Sequence, residues 1–208
     1  MHAREVYKTM LKDTITPAMR DRGFRGGSGN YYLDGDSGHT GSVLLSGNPK
    51  RSTSETTHFS IHCGVQSRYL KEVNQALGEK PRKPSVWSDH DWFDSVEPEG
   101  DRSANYTISV SSDPVVVGEG IVTILDERAL PAVRRSLDDA GLRHAVDNCF
   151  VGMGRGASRI LLDIAQGRLE EARSSISDLV EHRGSSDPGS AFLIERLAAA
   201  EAASSSPS

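Results

Sequence analysis

A histidine flanked by carboxylates lies between two tryptophans in Trp87-Ser88-Asp89-His90-Asp91-Trp92-Phe93-Asp94. Asp89, His90 and Asp91 offer oxygen and nitrogen ligands for a metal ion, or an acid–base pair with shifted pKa values. Adjacent ligands seldom converge on one ion without help from a distant His or Cys. The competing reading is that Trp87 and Trp92 anchor a loop to the core while the acids cap a turn and face water.

Other patterns carry less. His58 and His62 form an H-x-x-x-H string, which on a helix places two imidazoles on one turn. Here the string lies in an alternating, strand-like run, where four residues span roughly 13 Å, too far for one ion. His62 still faces the open side of that strand. Gly152-Met153-Gly154-Arg155-Gly156-Ala157 fits the dinucleotide-binding string, but lacks the strand before it and the strand bearing an acid after it. A small-residue hinge between helices suits it better. Asp34-Gly35-Asp36-Ser37-Gly38 has the start of a calcium loop without its sixth-position glycine or distal Glu, so it reads as a hairpin turn. Ala165 to Ala172 has the look of one helical-repeat junction, and one unit makes no array. Nucleophile-elbow, P-loop, H-E-x-x-H and CxxC motifs do not occur.

These residues need elements to position them. Val6, Tyr7, Met10, Leu11 and Ile15 recur at helical spacing and form one apolar stripe. Thr16-Pro17 interrupts the pattern, predicting a kink or a new first turn. Gly23 is placed to end the helix in the left-handed conformation, with Phe24 folding back. Gly26 to Gly29 reads as a flexible turn. Strands follow at Tyr31–Leu33, Ser42–Ser46, His58–Val65 and Asn105–Ser111. In the third, Phe59, Ile61, Cys63 and Val65 share the inward face; in the fourth, Tyr106, Ile108 and Val110 do. Such alternation predicts an antiparallel sheet with one packed face and one wet face.

Between the last two strands runs a long loop, Gly78 to Arg102. It opens basic with Lys80, Arg82 and Lys83 and then turns acidic. After Asp113-Pro114 the pattern is helical: Val115–Leu125, a second helix restarting at Leu130-Pro131 and closed by Gly141, a hairpin of Arg155–Gln166 and Leu169–His182 joined at Gly167, and Ala191–Ala203. Ser204 to Ser208 reads as a disordered tail. The prediction is an α+β fold: an N-terminal helix, about four antiparallel strands covered by helices on one face, and a helical extension beyond residue 140.

The 208 residues suffice for one buried core with a helical annex. No apolar run nears the roughly 18 residues that span a bilayer, and the first residues lack a signal peptide's apolar core. A cytoplasmic location is expected, with Cys63 and Cys149 as reduced, buried thiols. The net charge of −5 hides an asymmetry. Residues 1–83 hold 13 Lys and Arg against 8 Asp and Glu, and residues 84–208 hold 11 against 21. The resulting +5 is a weak footprint for nucleic acid.

The landmarks run in a recognisable order. A helix ends in Arg22-Gly23-Phe24, Tyr31-Tyr32 opens a strand, and Phe59–Val65 forms another. A Trp-bearing loop, a fourth strand and a helix reaching Ala129-Leu130-Pro131 follow. Over residues 4–138 this order resembles the domain of unknown function 4304 family. The resemblance implies a bacterial α+β domain without an established activity, and it transfers no catalytic residues, metal or cofactor.

The leading expectation is thus a non-enzymatic binding or protein-interaction module. Its candidate surface is Trp87, Asp89, His90, Asp91, Trp92 and His62, and one version is an immunity-type protein whose acidic loop neutralises a basic toxin. The alternatives are an enzyme centred on Asp89-His90-Asp91, and a weak nucleic-acid binder using Lys50, Arg51, Lys80, Arg82 and Lys83.

Overall fold

The computed structural model describes residues 2–80, 83–85, 89–98, 105–148 and 156–205. The first helical rod comprises α1 (Ala3–Met10), a π turn (Leu11–Ile15) and α2 (Thr16–Asp21). Its apolar stripe is buried as the periodicity requires. Pro17 causes no break because the π turn precedes it. A proline has no N–H, and its ring collides with the carbonyl four residues back. In the wider turn the Thr16 N–H instead reaches the Leu11 carbonyl, five residues back. The rod ends at Gly23, whose φ is +86°. Gly23 N–H donates to Arg20 O at 2.9 Å and Phe24 N–H to Met19 O at 3.0 Å, the paired bonds of a Schellman stop.

Six antiparallel strands follow: β1 (Arg25–Gly27), β2 (Asn30–Asp34), β3 (Thr40–Gly47), β4 (Thr56–Gln66), β5 (Trp92–Val96) and β6 (Tyr106–Ser109). The order is β1-β2-β3-β4-β5, and β6 pairs with the first part of the long β4 while β5 pairs with its second part. Two strands beyond the expected four come from glycine-rich Arg25–Gly27, read as turn, and from Trp92–Val96, read as loop. Val110 lies past the end of β6 and is 42% exposed rather than inward.

Helix α3 (Arg68–Ala76) leaves β4 directly, capped by Ser67, whose Oγ accepts from Leu70 N at 2.9 Å. A second rod joins α4 (Pro114–Ile124), a π turn (Leu125–Ala129) and α5 (Leu130–Arg135). The expected restart at Pro131 is thus absorbed in the same way as Pro17, with the Leu130 N–H bonded to Leu125 O. Gly141, expected to close this rod, sits instead inside α6 (Asp139–Asp147), where a Cβ would collide with the Arg135 carbonyl. The chain ends in α7 (Ala157–Ala165), α8 (Leu169–Arg183) and α9 (Pro188–Ser205). Helix α9 carries on through Ser204 and Ser205, where a tail was expected.

Phe59, Ile61, Cys63 and Val65 face the helical rods in one continuous apolar core that also takes in Leu161, Ala172 and Leu193 of α7–α9. Among the described residues no helix is long and apolar enough to cross a membrane. The other sheet face is not simply wet. Tyr32, Ser42, Leu44 and Gln66 are buried there, although Tyr32 and Leu44 stand outside the main core.

Candidate functional site

The segment before β5 explains the second buried face. It crosses the outer side of the sheet, and its three chemical residues go to three destinations. Asp89 accepts from Ser85 N at 2.9 Å and from Ser85 Oγ at 3.3 Å, within its own loop. His90 Nε2 lies 2.6 Å from Ser42 Oγ in β3. Asp91 accepts from Ser67 N at 2.6 Å, at the N-terminus of α3, and its backbone N–H donates to Val65 O at 2.9 Å. Burial pushes the Asp91 carboxyl up, opposed by bonds from Ser158 of α7 and from Ser67. Trp92 pairs with Val65 and packs in the main core.

Asp89, His90, Asp91 and Trp92 are therefore all buried. They tie a loop to the sheet and to two helix starts, where the sequence suggested a displayed surface. Trp87 lies outside the described residues. No group of three His, Cys, Asp or Glu suited to a metal ion occurs among the described residues. Ser42 and His90 have the separation of a nucleophile and its base. Ser42, however, is fully buried in the middle of the sheet, and neither residue lines the grooves described below.

His62 is half-buried on the outer face, with Nδ1 3.1 Å from Ser95 Oγ and Nε2 2.8 Å from Ser60 Oγ. Phe93 stacks on it at 5.0 Å between ring centroids, and burial lowers its pKa against the opposing pull of Asp94. His58 makes a separate contact, Nδ1 to Thr107 Oγ1 at 3.0 Å. The two imidazoles share no ligand position.

A histidine without any sequence signal is engaged more deeply. His39 is fully buried; its Nδ1 accepts from Arg68 N at 3.2 Å and its Nε2 lies 2.9 Å from Asp139 Oδ1. The backbone donor fixes the tautomer, so Nε2 carries the proton and donates to Asp139. The other Asp139 oxygen accepts from Tyr69 Oη and from Arg68 Nη2, each at 2.9 Å. Burial lowers the His39 pKa, with Asp139 opposing. The cluster fastens the β2–β3 turn, α3 and α6 to one another.

The open surface lies elsewhere. A groove of about 1030 Å³ runs between α1 and the sheet end formed by the β1–β2 turn, the last residues of β3 and the start of β4. Its floor is Tyr7, Leu11, Leu45 and Gly47, where the missing side chain of Gly47 leaves room beside Tyr7. Tyr7 Oη donates to Leu45 O at 2.9 Å, and burial pushes that phenol far above its usual range. The rim carries Arg4, Lys8, Lys12 and Arg20 against one acid, Asp13. Lys12 lies 3.9 Å from Asp13, both largely exposed, a pair worth little. Arg4, Lys8 and Arg20 form no ion pair among the described residues, and neither do Lys50 and Arg51 in the adjoining β3–β4 connection. Thr57, 4% exposed, also lines the groove, and its Oγ1 has no hydrogen-bond partner. A signal for this rim was present in the sequence: Arg4, Lys8 and Lys12 recur every four residues and so share one helix face.

Set against family models, curated proteins and solved structures, the chain matches none of them.

Proposed function

We propose that the protein is a non-enzymatic interaction module that holds an acidic, partly apolar segment of a partner protein in the groove beside α1. The observation that carries this reading is a set of cations without counter-charges above an apolar floor. Carboxylates gain from the rim, and the edges of Leu11 and Leu45 give the groove an apolar lining. The acids at the centre of the Trp-bearing loop are engaged inside the fold, so the complement we assign to the partner is acidic rather than basic. The order of helix stop, aromatic strand opening and later strands also supports placing residues 4–138 with the domain of unknown function 4304 family, a proposal that brings no activity with it.

Nucleic acid fits the groove less well. Among the described residues its one aromatic ring, Tyr7, is buried and engaged, which leaves no platform there for stacking bases. The test is fluorescence anisotropy with a labelled peptide of alternating Glu and Leu, and with a labelled DNA duplex, at low salt. Saturable peptide binding that fails in Arg4→Glu/Lys8→Glu supports the reading. Tighter binding of the duplex, or no saturable peptide binding, overturns it.

A further inference from the structure

At the opposite end of the sheet, on its outer face, lies a second groove of about 620 Å³, within the size range of small-molecule sites. The ends of β2, β3 and β4 form its floor, and α3 with Glu79, Lys80, Lys83 and Pro84 forms its walls. Four cations line it, Arg25, Lys71, Lys80 and Lys83, against two acids, Asp34 and Glu79. Asp34 is already engaged: one oxygen accepts from Arg25 Nη2 at 2.5 Å and Nε at 3.1 Å, and the other accepts from Thr40 Oγ1 at 2.9 Å. Lys71 Nζ donates to Gly38 O and Thr40 Oγ1, both at 2.8 Å, which fixes the ammonium at the groove wall with its third donor left over. Burial lowers its pKa, with Asp34 opposing. Lys83 Nζ stands 5.3 Å from the Tyr32 ring centroid. Neither Lys80 nor Lys83 meets a carboxylate among the described residues.

The deciding residue is Gln66. It is 2% exposed and lines this groove from the end of β4. Its amide offers two donors and an acceptor to a polar group held at that wall. We propose that this groove binds a small phosphorylated molecule, its phosphate held by Lys71, Lys80 and Lys83 and its adjoining polar group read by the Gln66 amide. Three ammonium groups, one from α3 and two from the connection that follows it, suit a multiply charged oxyanion.

The test is calorimetric titration of the full chain with inorganic pyrophosphate and with glucose 6-phosphate, using citrate at equal ionic strength as the control anion. Saturable binding of both phosphates is expected. Lys80→Gln/Lys83→Gln weakens both about tenfold or more, as expected for lost charge-assisted bonds. Gln66→Met weakens glucose 6-phosphate only, and Arg4→Gln/Lys8→Gln in the other groove changes neither. Unfolding midpoints matching the parent establish that the variants fold. The proposal is overturned if neither phosphate binds, if citrate binds as well as pyrophosphate, or if the Arg4 and Lys8 variant loses binding while the Lys80 and Lys83 variant keeps it.

Discussion

The imidazole of His90 lies against the backbone of Gly64: a Cβ at residue 64 would come within 2.7 Å of His90 Cδ2 and 2.6 Å of the Trp92 carbonyl. Glycine is required here for close approach, not for its backbone freedom. Gly64→Ala is expected to cost about 1–3 kcal/mol or more, since the second neighbour is main chain and cannot rotate away. Gly120→Ala in exposed α4, where no atom lies within 4 Å of the new methyl, is expected to gain about 0.5–1 kcal/mol. Urea unfolding followed by tryptophan fluorescence distinguishes the two directions.

Removing the other contact of His90 gives a separate measurement. Ser42→Ala leaves a buried imidazole nitrogen without its 2.6 Å partner, and a loss of about 1–3 kcal/mol is expected. Circular dichroism melting of the variant checks this, and an unchanged midpoint would assign the contact no energetic weight.

Acid should weaken the fold through two histidines. His39 and His62 both have pKa values lowered below 6.5 by burial. A histidine depressed in the folded state contributes stability that is fully present above its unfolded value and is lost as pH falls through the folded value. Stability should therefore decline as pH drops below about 6.5. His62→Gln keeps a polar side chain between Ser60 and Ser95 and should flatten part of that decline in melts recorded across pH 4 to 8, taken as an approximate range.

Thr57 separates stability from binding. Its buried hydroxyl is unpartnered in the free protein, so the near-isosteric Thr57→Val is expected to raise stability by about 1 kcal/mol. The same change should leave the affinity for the acidic peptide essentially unchanged in the anisotropy assay, because the hydroxyl is buried behind the groove lining.

Burial pushes the Cys63 thiol up to about 12, which makes it a poor nucleophile at neutral pH. With Cys149→Ser as background, a thiol reagent such as Ellman's should leave the native protein unlabelled and react with Cys63 once denaturant is added. Rapid labelling of the native form would contradict the burial of β4.

Local rules carried much of the architecture. The stop at Gly23, the inward face of β4 and the hinge at Gly167, with φ +72°, follow from glycine chemistry and period-two alternation. Strand β1 was hidden because Arg25-Gly26-Gly27 has no apolar residue; it is held to β2 by backbone bonds and the Arg25–Asp34 ion pair. Strand β5 was hidden because Trp92-Phe93-Asp94-Ser95-Val96 adjoins the triplet that drew attention as a site. The fates of Asp89, His90 and Asp91 depend on serines 85, 42, 67 and 158. Serine carries no periodic signal, and three of these four are far away in the chain. The basic rim beside α1 was legible in the four-residue spacing of Arg4, Lys8 and Lys12, but the apolar stripe on the same helix is the stronger pattern.

The two π turns have an evolutionary consequence. Each holds one more residue than an α turn, so each is in effect a one-residue insertion made tolerable by the proline that follows. Deleting Lys12 would remove the extra residue of the first π turn. It would turn the i→i−5 closure into an ordinary α turn, leaving Met19 near its place on the rod but driving the Pro17 ring into the carbonyl four residues back. Sequences descended from a common ancestor with this one should therefore lose or gain the extra residue and the proline together, and that joint change would be a more durable mark of kinship than any single side chain on the rod.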